Sequence, residues 1–323
     1  MSNNKFHKIA VSGSLAYDQI MDFPGRFGDH ILPDEVHNLN FSFFLKGLKT
    51  SFGGTAGNIA YNLSLLGLQP MIFGAVGGDF SVYEKWLIKQ KINLKYISRS
   101  AAFKTAAAYI ITDQADNQIT AFYPGPSPRG YAGRTAMKSG RLDLAIIAPD
   151  DKARMLEYIS AYKKKGTPYI FDPGQALIAF TPPELRRAVK GAKVLIGNDY
   201  EIKLIERNLK VNLQALVRMV EILVITKGGR GSEIYQGAEK IIVKPAKPKN
   251  TCDPTGAGDA YRAGFIKGLI SGFNLKTCGQ LAATVAVYTV EKFGTQTHRF
   301  TLSGLKNRYY ENYKERLERL SIS

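Results

Sequence analysis

The feature that most constrains the fold of this chain is a repeated alternation of short apolar runs and helix-length segments. The runs are rich in Ile and Val and end at or near Gly, Asn or Asp: KIAVSG, PMIFGAV, LDLAIIA, PYIFD, KVLIGN and EILVITKGG. Such runs are typical of strands that are buried on both faces of a parallel sheet. Helical spacing appears between them at Ile59, Leu63 and Leu66. Further helices are predicted over residues 151–165, 199–209, 260–270 and 275–292.

The alternation predicts the fold class, an α/β protein with three layers (α/β/α) around a mainly parallel central sheet. We expect residues 1–323 to form a single domain. Two segments, about residues 18–50 and 104–124, interrupt the alternation, and the second contains the turn signal Asp116-Asn117 between two β-rich runs. We interpret both as insertions that build a small β-strand lid beside a ligand crevice.

The charge of the chain bears on its partners. There are 44 Lys and Arg residues against 27 Asp and Glu residues, a formal net charge of +17, which attracts anionic ligands. The basic residues are scattered, and no zinc-finger spacing, basic leucine-zipper region or RNA-binding aromatic motif accompanies them. This pattern favours a solvated basic surface over a nucleic-acid site. A phosphate-rich small substrate fits the charge equally well.

Cysteine content and apolar run length bear on the compartment. Cys252 and Cys278 are too few for a disulfide framework and have no metal-ligand spacing. The N-terminal residues have no hydrophobic signal region, and no apolar run reaches the roughly eighteen residues that a membrane span needs. We therefore expect a cytoplasmic protein without membrane insertion.

The segment CDPTGAGDAYRAGF, residues 252–265, is the strongest candidate for chemistry. Its glycines precede a predicted helix, so the backbone N–H groups of Thr255, Gly256, Ala257 and Gly258 are expected to form an anion hole at the positive end of that helix. Asp259 then lies beside the anion as a base for an incoming hydroxyl. The alternative is a glycine-rich turn that only caps a helix.

Four other motifs are candidates for a ligand site, and three of them (GSLAYD, NDYE and TKGGRG) follow predicted strands, where ligands collect in open α/β sheets. GSLAYD contains Ser14 and Asp18, and GGTAGNIAYNLSLLG, from residue 53, places Asn58 in the first turns of a helix. NDYE spans residues 198–201 and TKGGRG spans residues 226–231. Taken alone, NDYE also reads as a helix N-cap and TKGGRG as a tight turn between strands.

These five motifs, in the order in which they occur along the chain, from GSLAYD to DPTGAGD, resemble the ribokinase-like (PfkB) family of sugar and nucleoside kinases. The resemblance extends from the first strand to about residue 297. Within the family, FPGRF, LPDEVHNLNFSF, FYPG, FDPGQ, NDYE, FGTQ and DPTGAGDAYRAGF look most like bacterial-type adenosine kinases. The resemblance implies a ribokinase-like fold and ATP-dependent phosphorylation of the 5′-hydroxyl of adenosine, which yields AMP in purine salvage.

The resemblance also implies roles for the residues of the sugar site. Asp18 is expected to bind two ribose hydroxyls, with Ser14, Gly54 and Asn58 completing that site. Asp259 is expected to deprotonate the 5′-hydroxyl, while the amides of residues 256–258 neutralise the transferred phosphoryl group. Because the transition state is loose and the proton leaves late, an aspartate of ordinary pKa is expected to suffice.

For ATP, the resemblance implies binding by Thr226, Gly228, Gly231, Thr255 and the glycine amides, and an adenine pocket over residues 285–296. Asn198 and Glu201 are expected to hold Mg²⁺, largely through water. A monovalent cation such as K⁺ beside the anion loop is a further cofactor common in these kinases. Lys227 is a candidate for a phosphate contact or a solvated lysine, and Arg262 for a phosphate contact or a partner of Asp259.

The nucleobase is expected to lie between Phe43 and Phe122 in the two lid segments, with Gln175 offering an amide to the base or ribose. The chain departs from the adenosine kinase pattern at Ala176, where a second glutamine is expected, and at Ala108, where an aromatic residue is expected. These departures concern the base contacts and leave the phosphoryl chemistry untouched.

Other functions stay open at the level of sequence. One is a kinase of the same fold that acts on a free sugar, ribose or fructose, or on another nucleoside. Another is a basic nucleic-acid-binding protein that kept the fold without turnover. A dinucleotide-dependent oxidoreductase is disfavoured, because GSLAYD rather than GxGxxG follows the first strand. Exposed strand edges in the lid favour a homodimer that pairs through it.

Overall fold

The computed structural model describes residues 7–30, 42, 44–115, 117–318 and 320. Within them the strands are β1 (Ile9–Ser12), β2 (Ala16–Asp22), β3 (Gly47–Gly53), β4 (Met71–Gly77), β5 (Asn93–Ser100), β6 (Ala106–Thr112), β7 (Gln118–Tyr123), β8 (Leu144–Ile147), β9 (Tyr169–Phe171), β10 (Val194–Asn198), β11 (Ile222–Thr226), β12 (Ser232–Gln236) and β13 (Glu239–Val243). The helices are α1 (Thr55–Leu65), α2 (Ser81–Lys89), α3 (Tyr131–Lys138), α4 (Lys152–Lys165), α5 (Pro182–Val189), α6 (Asp199–Leu209), α7 (Leu213–Val217), α8 (Ala257–Ile270), α9 (Leu275–Val290) and α10 (Leu302–Tyr313).

The central sheet has nine strands in the described part of the chain, in the order β13-β12-β11-β10-β9-β8-β1-β4-β5. Neighbouring strands from β11 to β5 run parallel, and β12 and β13 add an antiparallel hairpin at one edge. The six apolar runs of the sequence form β1, β4, β8, β9, β10 and β11. The predicted α/β fold with a mainly parallel central sheet is confirmed.

Strand β1 illustrates how the sheet is covered on both faces. Successive side chains of a strand point to opposite faces. Ile9 and Val11 accordingly pack with α1, α8 and α9 in one core, whereas Ala10 packs with α3 and α4 in the other. All three side chains are fully buried. Because both faces are apolar, the run shows no alternation in the sequence, as expected for a strand between two helical layers.

A second, smaller sheet has the order β3-β2-β6-β7 and forms the predicted lid. Strands β2 and β6 run parallel, and the other neighbours run antiparallel. Every residue of β7 is exposed, in contrast to the buried strands of the central sheet. The lid therefore extends from the central sheet. Residues 31–41 of the first predicted lid segment, Phe43, and Asp116 of the predicted turn lie outside the described residues.

Two details differ from the sequence predictions. Helix α8 begins at Ala257, three residues before the predicted start at residue 260, because Gly256 takes a left-handed φ of 78° and turns the chain into the helix. The sequence analysis gave no bounds for strands β5, β12 and β13. All three strands contain charged residues and half-exposed positions, and β5 and β13 form the sheet edges, so they lack the continuous apolar signal of the inner strands. None of the helices in the described ranges is long and apolar enough to cross a membrane.

Candidate active site

The loop that enters α8 has free backbone donors beside a cavity. Gly256 is the N-cap of the helix. The N–H groups of Gly256, Gly258 and Asp259 have no acceptor among the described residues, whereas that of Thr255 donates to Asp253 Oδ1 at 2.9 Å and that of Ala257 donates to the Pro254 carbonyl at 3.2 Å. Free N–H groups at a helix N-terminus favour an anion. Of the predicted anion-hole amides, those of Gly256 and Gly258 are thus the available donors.

Asp259 is the third residue of α8, and its carboxylate is fixed from one side. Asn58 Nδ2 donates to Asp259 Oδ2 at 2.9 Å. Burial raises the pKa of Asp259 to about 7, while the Arg262 charge and the Asn58 hydrogen bond lower it and Asp172 and Asp18 raise it further. The carboxyl group therefore titrates near neutral pH, in contrast to the ordinary aspartate that the sequence argument expected.

Arg262 has a different partner from those considered in the sequence. Its buried guanidinium forms a two-pronged pair with the Asp172 carboxylate, and Nη1 donates to the Gly258 carbonyl at 3.0 Å. This arrangement ties the first turn of α8 to the end of β9. The arginine therefore acts on Asp259 through its charge and through the position of the helix.

Asp18 lies on β2 of the lid, directly over the glycine pair. A Cβ atom on Gly53 would be 2.3 Å from Asp18 Oδ2, and one on Gly54, where φ is 84°, would be 2.6 Å from the Ser14 carbonyl oxygen. Glycine at position 53 is what lets the carboxylate approach the backbone, whereas glycine at position 54 allows the positive φ and the close approach of the neighbouring backbone. Burial, then the Asp253 charge, raises the pKa of Asp18 to about 6.

The start of α1 brings the two carboxylates to one site, because the glycine pair just before the helix lies against Asp18 and Asn58 in its first turn donates to Asp259. The charge of Asp18 accordingly contributes to the raised pKa of Asp259. Ser14 lies at the edge of this site. Its hydroxyl accepts from the Thr55 N–H at 3.1 Å and contacts the Thr55 hydroxyl at 3.2 Å, so it serves the N-terminus of α1. Two sequence motifs that are more than 200 residues apart thus meet at one site.

The register of the lid places one aromatic side chain in line with Asp18. Asp18 pairs with Ala108 on β6, and Ala108 pairs with Phe122 on β7. Residues directly opposite one another share a face of a sheet. Phe122 is 56% exposed on that face, and Ala108 leaves room between it and Asp18. Gln175 is exposed on a 3-10 helix, Gly174–Ala179.

A cavity of about 370 Å³ lies on the other side of the anion loop. Its lining includes the predicted ATP residues Thr226, Gly228 and Gly231, the loop residues Ala257 and Gly258, and apolar side chains of α9. Apolar walls beside free amides suit a ring system that carries phosphates. Lys227 does not point freely into solvent, because its Nζ pairs with Glu233 Oε1 at 2.7 Å.

Asn198 and Glu201 form a reciprocal helix cap. The Asn198 N–H donates to Glu201 Oε2 at 2.7 Å, and the Glu201 N–H donates to Asn198 Oδ1 at 2.8 Å. Burial, followed by the nearby Asp172 charge, raises the pKa of Glu201, so a cation beside it would relieve an unfavourable negative charge. The described residues contain no cluster of three or more His, Cys, Asp or Glu side chains suited to a metal. A single carboxylate fits Mg²⁺ that keeps water and phosphate ligands.

The sequence analysis missed two site residues, Tyr83 and Trp86 on α2, and it assigned a third, Gln296, to the adenine pocket that the resemblance implies over residues 285–296. All three lie in the hydrogen-bond network behind Asn58. A glutamine or tryptophan in a network of this kind gives no spacing signal of its own.

Comparison with known families accounts for this combination of anion loop, glycine pair and strand lid. The model of the pfkB family of carbohydrate kinases matches residues 8–301. The chain belongs to this family.

Similar proteins are named as nucleoside kinases. This chain is 38% identical over 297 residues to the nucleoside kinase of Methanothermobacter thermautotrophicus. The matched region covers 90% of this chain and 91% of that protein. This chain is 31% identical over 321 residues to the nucleoside kinase of Methanocaldococcus jannaschii. The matched region covers 98% of this chain and 99% of that protein. The solved structure of Burkholderia thailandensis nucleoside kinase in complex with inosine matches with a TM-score of 0.84 and 33% identity, covering 95% of this chain and 99% of that one.

Proposed function

We propose that this kinase transfers the γ-phosphoryl group of ATP to the 5′-hydroxyl of a purine nucleoside, with adenosine as the expected substrate. The observation that carries the proposal is the meeting of Asp18, Asp259 and the free amides of the α8 loop around the start of α1. A carboxylate for vicinal hydroxyls, a base and an anion hole are the three parts that such a transfer needs. The names of the similar proteins support a nucleoside over a free sugar.

In this proposal the two oxygens of Asp18 accept hydrogen bonds from the 2′- and 3′-hydroxyls of the ribose. The 5′-hydroxyl then lies between Asp259 and the γ-phosphorus of ATP. As the 5′-oxygen bonds to phosphorus, its proton passes to Asp259, and the bond from the γ-phosphorus to the oxygen of ADP breaks. The products are a nucleoside 5′-monophosphate and ADP, and Asp259 returns its proton to solvent.

The free N–H groups of Gly256 and Gly258 would stabilise the charge on the phosphoryl oxygens during the transfer. ATP would lie in the cavity beside Thr226, Gly228 and Gly231, with its adenine against the apolar side chains of α9. Glu201, with Asn198, would hold Mg²⁺ largely through water. The ion would neutralise phosphate charge.

Phe122 supports a planar base in the acceptor site. It shares a lid face with Asp18, and the intervening Ala108 leaves space for a ring system bound to the ribose that Asp18 would hold. An exposed aromatic ring there gains burial when a base covers it. Phe43, the second predicted base contact, lies outside the described residues, and Gln175 remains a candidate contact for the base or ribose.

The decisive experiment is an acceptor panel of adenosine, inosine, guanosine, cytidine, ribose and fructose, assayed with ATP and Mg²⁺, with and without K⁺. We expect a purine nucleoside, adenosine first, to give the highest kcat/KM. Inosine is the sharpest competitor, because the similar Burkholderia enzyme was solved with it. If ribose or fructose were phosphorylated faster than every nucleoside, the nucleoside assignment would be wrong. The protein would then be a kinase of a free sugar.

We also propose that two copies pair through the outer face of the lid. The register places Leu48, Met21, Ile111 and Ile119 in one row across the four strands, on the face opposite Asp18. Leu48 is 68% exposed and Ile119 is 39% exposed. Ile119→Arg should lower the solution mass from dimer to monomer, whereas Thr120→Arg, on the inner face, should not. A monomeric parent would contradict the proposal.

A further inference from the structure

A chain of side-chain hydrogen bonds runs from helix α2 to the carboxylate of Asp259. Trp86 Nε1 donates to Gln296 Oε1 at 3.0 Å, Gln296 Nε2 donates to Asn58 Oδ1 at 3.0 Å, and Asn58 Nδ2 donates to Asp259 Oδ2 at 2.9 Å. Asn58 is 5% exposed and Gln296 is 3% exposed. Water therefore has little access to replace a lost link, so the direction of each bond matters.

The direction of the Gln296 amide is fixed from both of its ends. An amide side chain can in principle be turned over, which exchanges its donor and its acceptor. The indole N–H of Trp86 can only donate, so it requires the oxygen of Gln296. The Tyr83 hydroxyl donates to the Gly53 carbonyl at 2.8 Å, so its oxygen is left to accept from Gln296 Nε2.

The fixed amide of Gln296 in turn sets the orientation of Asn58. Gln296 Nε2 donates to Asn58 Oδ1, which leaves the Asn58 nitrogen facing Asp259. The Thr295 hydroxyl also donates to Asn58 Oδ1, at 2.7 Å, and it lies 2.9 Å from the Phe52 carbonyl as well. Because a hydroxyl can rotate and can both donate and accept, it tolerates either direction of the Asn58 amide, whereas the fixed Gln296 donor does not.

The space for this arrangement is provided within α1. A Cβ atom on Gly57 would lie 1.9 Å from the Tyr83 hydroxyl oxygen. Glycine at this position therefore lets the Tyr83 hydroxyl donate to the Gly53 carbonyl and accept a hydrogen bond from Gln296 Nε2. The glycine-rich motif at the start of α1 thus accommodates the network behind Asp259 as well as the carboxylate of Asp18.

We propose that Gln296 is a positioning residue, which fixes the Asn58 amide so that its N–H points at Asp259 and keeps that carboxylate ready to accept a proton. The inference rests on the proposed function, in which Asp259 is the base. If Asn58 turned over, its carbonyl oxygen would face Asp259, and the contact would be favourable only when the carboxyl group kept its proton. A protonated Asp259 accepts no proton from the 5′-hydroxyl.

Other charged or titratable side chains also act on Asp259. Arg262 lies on the same helix, Asp172 follows β9, Asp18 lies on the lid, and Tyr83 lies on α2. The carboxylates and the burial raise the pKa of Asp259, and only Arg262 and the Asn58 hydrogen bond lower it. Loss of the Asn58 hydrogen bond should therefore shift the titration of Asp259 to higher pH.

The test is the pH dependence of the single-turnover rate at saturating nucleoside and ATP, where the acceptor covers Asp18 and product release does not contribute. We expect the parent rate to fall on the acid side of about pH 7, with Asp259→Asn inactive throughout. Gln296→Met keeps the size of the side chain but removes its donor. It should move this acid limb up by about half to one pH unit, so that the rate at pH 6 falls about threefold to tenfold. The rate at pH 9 should stay within about twofold of the parent.

Two further variants isolate the orientation. Thr295→Val removes the second donor to the same Asn58 oxygen without releasing Gln296, so its acid limb should shift less than that of Gln296→Met, and an equal or larger shift would assign the orientation to Thr295 instead. Trp86→Phe removes one of the two constraints on Gln296 and should shift the limb in the same direction, by less. If Gln296→Met does not fold, the Trp86→Phe profile decides the question, and an unshifted limb overturns the inference.

The remaining outcomes separate this inference from the proposed function. Inactive Asp259→Asn together with a parental limb in Gln296→Met would leave the base in place and overturn the role of Gln296. An equal loss of rate at every pH in Gln296→Met would indicate a merely structural role and would also overturn it. If Asp259→Asn retained the parental rate, the base assignment itself would fail, and the role of Gln296 with it.

Discussion

The two carboxylates of the candidate site belong to regions of very different character. Asp259 lies in the first turn of α8, receives a hydrogen bond from Asn58 and is backed by the buried Arg262–Asp172 pair. Asp18 lies on a lid strand and has no hydrogen-bond donor among the described residues. Burial raises the pKa of both. The protein itself thus supplies a hydrogen-bond donor to Asp259, whereas both oxygens of Asp18 are free, among the described residues, to accept hydrogen bonds.

This contrast agrees with a division of labour between the two regions. A base must be held in place before the substrate arrives, because positioning supplies much of the rate. A binding carboxylate without donors gains most when hydroxyl groups supply them, and a lid can bring it to the ligand. The predictions below test whether the two carboxylates divide in this way.

The largest effect should come from Asp259→Asn, which we expect to lower kcat by at least about a hundredfold. The affinity for the nucleoside should change little, because the proposed binding carboxylate is intact. Asp143→Asn, at the opposite end of the central sheet, is the matched control. The measurements are steady-state kinetics and calorimetric titration of the nucleoside. A kcat near that of the parent would remove Asp259 from the chemistry.

Asp18→Ala should act on binding instead. Loss of two charge-assisted hydrogen bonds to the ribose should weaken nucleoside binding by about tenfold to a hundredfold. The exposed Asp22, on the same strand and the same face, provides the control variant Asp22→Asn. Titration calorimetry checks the result, and an unaltered dissociation constant would contradict the ribose assignment and the division between the two carboxylates.

Phe122→Ala should have a smaller effect within the lid. We expect KM for the nucleoside to rise about twofold to tenfold, because a base loses one aromatic face, while KM for ATP stays constant. Tyr109→Ala removes an exposed aromatic side chain from the opposite face of the same sheet and is the matched control. Equal effects of the two variants would show that general damage to the lid, rather than contact with the base, is responsible.

The smallest effect is on stability. The pKa of Asp259 is about 7 in the folded protein, above its ordinary 3.8, so the carboxyl group contributes most to stability below about pH 4. That contribution is lost as the pH rises through 7. Asp259→Asn should therefore unfold at a higher temperature than the parent at pH 8, by a few degrees, with a smaller gain at pH 5. A gain that does not grow with pH would argue against a buried, ionised Asp259.

Sequence reasoning was most successful where one local signal was sufficient. The six inner strands are apolar throughout because helices cover both faces of the sheet. A continuous apolar run can be recognised in the sequence even when the neighbouring strands are not known. Strands β5 and β13 at the sheet edges, and β12 beside β13, lack that signal. The glycines of the anion loop were recognisable because they precede a predicted helix and occur together with four other ordered motifs, although a glycine-rich turn that only caps a helix gives the same local pattern.

The amino-acid sequence by itself determined the fold class, the lid segments and the candidate residues Asp18 and Asp259, since periodicity and ordered motifs are local properties of the chain. Only the tertiary structure decided that Arg262 pairs with Asp172, that the pKa of Asp259 is raised to about 7, and that Gln296 aligns Asn58. These features depend on burial and on hydrogen bonds between residues up to 238 positions apart, as for Asn58 and Gln296. Solvent exclusion and bond direction exist only once the helices and both sheets are packed.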